Sequence, residues 1–232
     1  MHCPKPIPAR STVQRGFTLA EAVIVIAITG IIAAVVAVFI RKPVEGYIDA
    51  ARRAEMTDTA DTAARRIARD LRLALPNSVR IFGGSSGTSV EFLLTRTGGR
   101  YRADAGASGD DPLDFSGADT SFDILGAPIT FAGGDRIAIY NLGIPGADAY
   151  DPNPANSSLR SYNGALGSAQ SKVQFTPNTS FPFDSPGHRF QVVEGPVTYR
   201  CSGGELRRFA GYAISAAQAT RPAALRHCWQ TT

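Results

Sequence analysis

The 232-residue chain predicts an α+β fold, one long amino-terminal helix packed on an antiparallel β-sheet domain. Three observations carry that prediction. Residues 17–40 form an apolar run whose one charged residue is Glu21. Residues 41–76 continue it with helical spacing and no turn signal before Leu75-Pro76-Asn77. From residue 77 to 232 the pattern changes to short apolar stretches separated by Gly, Pro, Asn and Asp, as in antiparallel strands joined by turns. The chain therefore reads as four segments: a short basic amino terminus (1–16), a membrane-length helix (17–40), its amphipathic continuation (41–76) and a β-rich head (77–232).

The apolar run comes first. At about 1.5 Å of rise per residue, a helix over residues 17–40 is long enough to cross a hydrocarbon core of roughly 30 Å. An ionised carboxylate in lipid costs several kcal/mol unless it is partnered, which makes Glu21 a functional candidate. A secretory signal peptide fits less well, because the run exceeds an h-region of roughly 7–15 residues. It also lacks a small-x-small cleavage site ahead of Arg41-Lys42-Pro43. An uncut signal anchor satisfies the hydrophobicity alone, so the residues at the head of the run decide between readings.

Downstream, Ala60, Ala64, Ile67, Leu71 and Leu75 recur at helical spacing and form the stripe expected to face the sheet. Arg65, Arg66, Arg69 and Arg72 lie largely off it, as a solvated face or one directed to headgroups or acidic neighbours. Gly30, Pro43 and Gly46 interrupt good helix-forming sequence, and Pro43, lacking a backbone donor, is expected to kink the helix.

In the head the pattern predicts strands at Val79–Phe82, Val90–Thr95, Arg100–Arg102, Phe122–Leu125, Arg136–Tyr140, Lys172–Phe175, Arg189–Val193, Val197–Cys201 and Leu206–Tyr212. Gly83–Gly87, Gly98-Gly99, Glu194-Gly195-Pro196 and Ser202-Gly203-Gly204 are read as the turns between them. Two long segments, Ala103–Ser121 and Gly143–Ser171, are rich in Gly, Pro, Asp, Asn and Ser and read as surface loops suited to partner recognition.

The residues Gly16-Phe17-Thr18-Leu19-Ala20-Glu21 resemble the processing site of type IV prepilins. The resemblance implies that a membrane peptidase cuts between Gly16 and Phe17 and methylates the new amino group of Phe17. It further implies that Glu21 pairs with the amine of a neighbouring subunit's Phe17 as helices pack into a filament, neutralising two groups that lipid penalises. A residue without a side chain at position 16 suits close approach of a protease to the backbone. Gly98–Arg102, Gly134–Gly143, Arg189–Val193 and Tyr199-Arg200-Cys201 are similar to the MshO group, minor prepilins of the mannose-sensitive haemagglutinin (MSHA) pilus of Gram-negative bacteria. That resemblance implies a pilin-like fold and a minor type IV pilin. Its partners would be the prepilin peptidase/methyltransferase, other major and minor pilins, the inner-membrane assembly platform and the lipid bilayer. Members of the group continue some tens of residues past the region matching Cys228; if that part supplies a closing strand, the resemblance implies an open sheet edge here, either awaiting a partner or marking a truncated product.

Charge and cysteines agree with that picture. The formal charge is +4, but removal of residues 1–16 would take away Lys5, Arg10 and Arg15 and leave 21 basic against 20 acidic residues, which argues against a nucleic-acid partner. The basic amino terminus suits a cytoplasmic position with the head outside the inner membrane, then on the cell surface in a pilus. Cys3 would be lost with the leader, leaving Cys201 and Cys228 as an even pair in an oxidising compartment. They are expected to form a disulfide worth on the order of 3 kcal/mol by loop entropy, the competing reading being two unpaired thiols.

Enzyme signals are thin, and no catalytic, cofactor-binding or metal-binding residue is predicted. Gly83–Gly87 matches G-x-S-x-G but lies between two strand-like runs, so a hairpin turn explains it better than a nucleophile elbow. His188 and His227 lack metal-binding spacing. Asp104, Asp110, Asp111, Asp114, Asp119 and Asp123 lack EF-hand spacing and read as a solvated acidic loop, with calcium as the competing reading. Two other functions share much of this pattern: a minor pseudopilin of a type II secretion system, and a pilus-tip adhesin or ligand-binding module whose long loops read a surface.

Overall fold

In the computed structural model, residues 16–84, 87–176 and 179–218 are described, together with the backbone of Leu225–Trp229; the side chains of Arg41 and Lys42 are not. The chain divides into two compact units, residues 1–55 and 56–232. In chain order the elements are α1 (Leu19–Arg72), β1 (Arg80–Gly84), β2 (Gly87–Tyr101), β3 (Ser121–Leu125), β4 (Ile129–Thr130), β5 (Arg136–Ile139), β6 (Leu159–Tyr162), β7 (Ala169–Gln170), β8 (Lys172–Thr176), β9 (Arg189–Ser202), β10 (Glu205–Ala210) and β11 (Leu225–Trp229). A long amino-terminal helix with an antiparallel β-sheet domain is the predicted α+β, pilin-like arrangement.

The first unit consists of the apolar part of α1, whose side chains from Leu19 to Ile40 are all exposed. The helix continues through Pro43. Thr29 Oγ1 donates to the Val25 carbonyl at 2.6 Å, so the one side-chain hydroxyl between Leu19 and Ile40 is satisfied by its own helix.

In the second unit β9 is the organising strand. One of its edges pairs with β2 from Arg100↔Arg189 to Thr88↔Cys201. The other edge pairs first with β5, from Ile139↔Phe190 to Arg136↔Val193, and then with β10, from Ala210↔Val197 to Glu205↔Ser202. Glu194-Gly195-Pro196 lies where one partner gives way to the next. A proline without an N–H costs no ladder bond there, and the Gly195 φ of 149° supplies the irregularity. The segment predicted to be a turn is thus a bulge inside one continuous strand. Arg96 on β2 and Glu194 on β9 are the two residues skipped by the register, and they pair with each other at 3.7 Å.

Gly98-Gly99, also predicted to be a turn, is likewise internal to β2. A Cβ at residue 98 would lie 2.6 Å from the Phe190 carbonyl oxygen, and one at residue 99 would lie 3.0 Å from the Phe190 ring. Glycine is required here by close approach of the neighbouring strand, not by chain reversal.

The six strands β2, β3, β8, β6, β5 and β9 pair in that order and return to β2, closing an antiparallel barrel. Alternate residues of these strands fill it. Phe122 stands at the centre, its ring 5.2 Å from Phe190, 5.9 Å from Phe175 and 5.9 Å from Tyr101, with Ile137, Ile139, Val173 and Val192 completing the core. Each fully buried side chain of this size contributes about 1.5–3 kcal/mol. Strand β6 falls inside the predicted loop 143–171, and its Arg160 is almost fully buried. The Arg160 guanidinium donates to four carbonyls, of Ser157, Leu159, Thr179 and Ser180, and lies over the Phe181 ring at 4.5 Å.

Beyond the barrel β1, β2, β9, β10 and β11 form a wing whose one face carries Phe92, Val197 and Tyr199 against Ile67 and Leu71 of α1. Of the predicted stripe, Ile67 and Leu71 make this contact, while Ala60 and Ala64 are exposed. The helix ends at Arg72 because the chain joins the sheet. Leu73 O accepts from Thr95 N at 2.8 Å, Leu75 N donates to Leu93 O at 2.8 Å, and Leu75 is buried in a separate cluster with Leu93. The opposite face of the wing holds the buried Glu91, which accepts from Arg80 at 2.9 Å. Arg80 also donates to the carbonyls of Ser215 and Ala216 and lies 3.5 Å from the Tyr150 ring centre, pinning the segment after β10 across that face.

Candidate functional site

The predicted processing residues stand ahead of the helix. Gly16, Phe17 and Thr18 are non-helical and exposed, so the Gly16–Phe17 bond lies in accessible chain ahead of the helix. A Cβ built on Gly16 meets no atom within 4 Å. Nothing in the fold itself excludes a side chain at residue 16, so a requirement for glycine there belongs to whatever approaches it from outside. Phe17 is 79% exposed.

Thr18 is the residue whose role the sequence reading missed. Its Oγ1 accepts from Glu21 N at 3.3 Å and its carbonyl accepts from Ala22 N at 3.1 Å, which makes Thr18 the N-cap of α1. The signal was present: Thr18-Leu19-Ala20-Glu21 has the T-x-x-E spacing of a capping box at the head of an apolar run. Glu21 therefore sits in the first helical turn, at the end where the helix dipole favours negative charge. The cap fixes the start of the helix at Leu19 and holds the carboxylate one turn from Phe17.

The other predicted site residues are not brought together. Cys201 is exposed and free, and the side chain of Cys228 lies outside the described residues. Backbone register pairs Cys201 with Leu206 and Cys228 with Arg207, so β10 stands between the two cysteine strands. The expected Cys201–Cys228 pairing involves a side chain that lies outside the described residues.

The acidic loop is internally engaged. Asp110 accepts from the amides of Gly106 and Ala107 and pairs with Arg102 at 3.0 Å, and these amide bonds hold its carboxyl below the usual range. Asp111 pairs with Lys172 at 3.0 Å, and Asp123 with Arg102 at 3.2 Å. Asp114 and Asp119 accept from nearby backbone amides. Among the described residues no group of three His, Cys, Asp or Glu side chains is arranged to hold a metal ion. Gly84 and Gly87 of the G-x-S-x-G match pair across the β1–β2 hairpin; Ser85 and Ser86 lie outside the described residues. His188 packs edge-on against Tyr101 in the barrel wall.

No curated protein and no solved structure matches the chain. The family described as the prokaryotic N-terminal methylation motif matches residues 12–37, the stretch that holds Gly16, Phe17, the Thr18 cap and Glu21. That motif implies processing by a prepilin peptidase and assembly with other pilins, and with the exposed apolar helix it points to membrane anchoring and a structural role. On the methylation motif and the helix-plus-sheet architecture together, the chain is a type IV prepilin-like protein.

Proposed function

We propose that the chain is a minor type IV pilin of an MSHA-like pilus, made with its leader in the cytoplasm and its head outside the inner membrane. Cleavage after Gly16 frees the Phe17 amine for methylation. The apolar helix then packs laterally against other pilins, with Glu21 neutralised by a neighbour's amine, and the barrel head faces outward at low copy number, at the tip or in the priming complex. One observation carries the reading: the scissile bond is exposed and a capping residue fixes Glu21 in the first turn of a helix whose apolar surface has no cover. An unpaired carboxylate there gains far more from a cationic partner in lipid than in water.

The test is Glu21→Ala in a strain with active prepilin peptidase. Cleavage after Gly16 is expected to continue while recovery of the protein in sheared pilus fractions falls at least tenfold. Undiminished recovery would remove Glu21 from the assembly step. Co-isolation with secretion-channel components instead of pilus subunits would assign the same chemistry to a type II pseudopilin.

A further inference from the structure

The outer wall of the barrel carries a feature that assembly does not use. Arg100 on β2 and Arg189 on β9 are directly opposed in register and leave the same face of the sheet. Like charges directly opposite across two strands destabilise the pair. Three other barrel arginines are partnered: Arg96 with Asp135 and Glu194, Arg102 with Asp110 and Asp123, Arg160 with four carbonyls. Among the described residues, neither the Arg100 nor the Arg189 guanidinium has a carboxylate within 4.0 Å, and both residues are exposed. They flank a groove of about 600 Å³ floored by Gly98 and Gly99. A second concavity of about 220 Å³ shares Arg189 and Gln191 with the first and adds Asn77 and Tyr140.

Backbone strain collects at the same place. The non-glycine residues with positive φ are Asn77 (60°), Tyr140 (46°) and His188 (50°). Two of them line the second concavity, and the third precedes Arg189. Asparagine tolerates this region, but a bulky aromatic there is a strained residue that its surroundings must hold. Asn77 Nδ2 donates to the Asn141 carbonyl at 3.0 Å and Asn141 Nδ2 donates to the Pro76 carbonyl at 2.7 Å, a reciprocal lock beside Tyr140.

We propose that this groove binds a carboxylate-bearing saccharide. Arg100 and Arg189 grip the carboxylate from two adjacent strands, and Thr97, Gln191 and Tyr140 meet hydroxyls and a ring face. The guanidinium pair selects an anion, because a carboxylate between the two groups converts their repulsion into two charge-assisted contacts. The saccharide is favoured over an acidic peptide by the separate polar side chains, Thr97 and Gln191, set around the guanidinium pair. The groove offers a glycine floor, the Gln191 amide and the Thr97 hydroxyl, and the adjoining concavity adds the exposed Tyr140. The proposal stands independently of cleavage at Gly16.

The full-length protein in non-ionic detergent would be titrated calorimetrically with a galacturonic acid trimer, its neutral methyl ester, inorganic phosphate and hexaglutamate. The trimer is expected to bind saturably, at least tenfold more tightly than the ester, phosphate or hexaglutamate. The Arg100→Gln/Arg189→Gln variant is expected to lose at least tenfold in affinity for the trimer while its thermal midpoint stays level or rises, since the opposed charges are gone. Gln191→Ala, which keeps both charges, is expected to weaken the trimer at least threefold, so the proposal remains testable if the double variant misfolds. No saturable trimer binding, binding unchanged in these variants, or phosphate binding equal to the trimer would overturn it. Preferential binding of hexaglutamate would also overturn it and assign the groove to an acidic peptide.

Discussion

The Tyr199 hydroxyl donates to Asp70 Oδ2 at 2.8 Å, and Arg208 Nε donates to the same oxygen at 2.9 Å. One carboxylate near the end of α1 thereby joins helix to β9 and β10 between two apolar contacts, Ile67 and Leu71 on the helix and Phe92 and Val197 on the sheet. Both members of the ion pair are largely buried, with side chains 14% and 15% exposed.

Asp70→Asn removes the charge while keeping an acceptor for Tyr199, and it leaves the buried Arg208 cation without its carboxylate. Stripping one partner from such a pair costs about 2–4 kcal/mol. The expected outcome is a lower urea midpoint for the detergent-solubilised protein, followed by circular dichroism. The double variant Asp70→Asn/Arg208→Met is expected to recover part of the loss. Additive effects of the two substitutions would show that the residues act separately.

Two glycines should respond in opposite ways. Gly98→Ala drives a methyl group to 2.6 Å from the Phe190 carbonyl oxygen, and relieving that overlap costs on the order of 1–3 kcal/mol by displacing β2 from β9. Gly16→Ala meets open space. It is expected to leave thermal unfolding unchanged and, on the processing account, to block cleavage. Thermal midpoints and intact masses of the two variants test both statements.

Alkaline pH should destabilise the head. Burial pushes the phenols of Tyr101, Tyr150 and Tyr212 well above the ordinary value of 10.0. The unfolded chain then releases these protons first, so the stability they contribute is present below about pH 10 and is lost as pH rises above it. Burial raises Tyr162 and Tyr199 in the same direction, and a fall in the thermal midpoint between pH 10 and 12 is expected. A rising midpoint would mean that these phenols are not buried as described.

Helix and strands were legible where a residue's neighbours in sequence determine its environment. The apolar run, the 3.6-residue stripe at Ile67 and Leu71 and the alternation in Phe122–Ile124 and Ile137–Ile139 each declare a face. Gly98-Gly99 and Glu194-Gly195-Pro196 misled because glycine and proline are written the same way for a reversal, a close approach and a bulge. Only the identity of the neighbouring strand separates the three. Strand β6 was hidden by Arg160, a cation whose burial depends on carbonyls 19 and 20 residues away. Barrel closure through β3–β8 and β5–β9 is a set of long-range pairings that no local pattern encodes. The Thr18 cap, by contrast, was fully written in four residues.

The measurement that bears most directly on the processing account is the amino-terminal mass of the membrane-purified protein, made with and without active prepilin peptidase. The account predicts a chain beginning at N-methylated Phe17 only when the enzyme is active. An intact amino terminus at Met1 in its presence would contradict it and leave an anchored β-barrel domain whose helix begins at an unused cap.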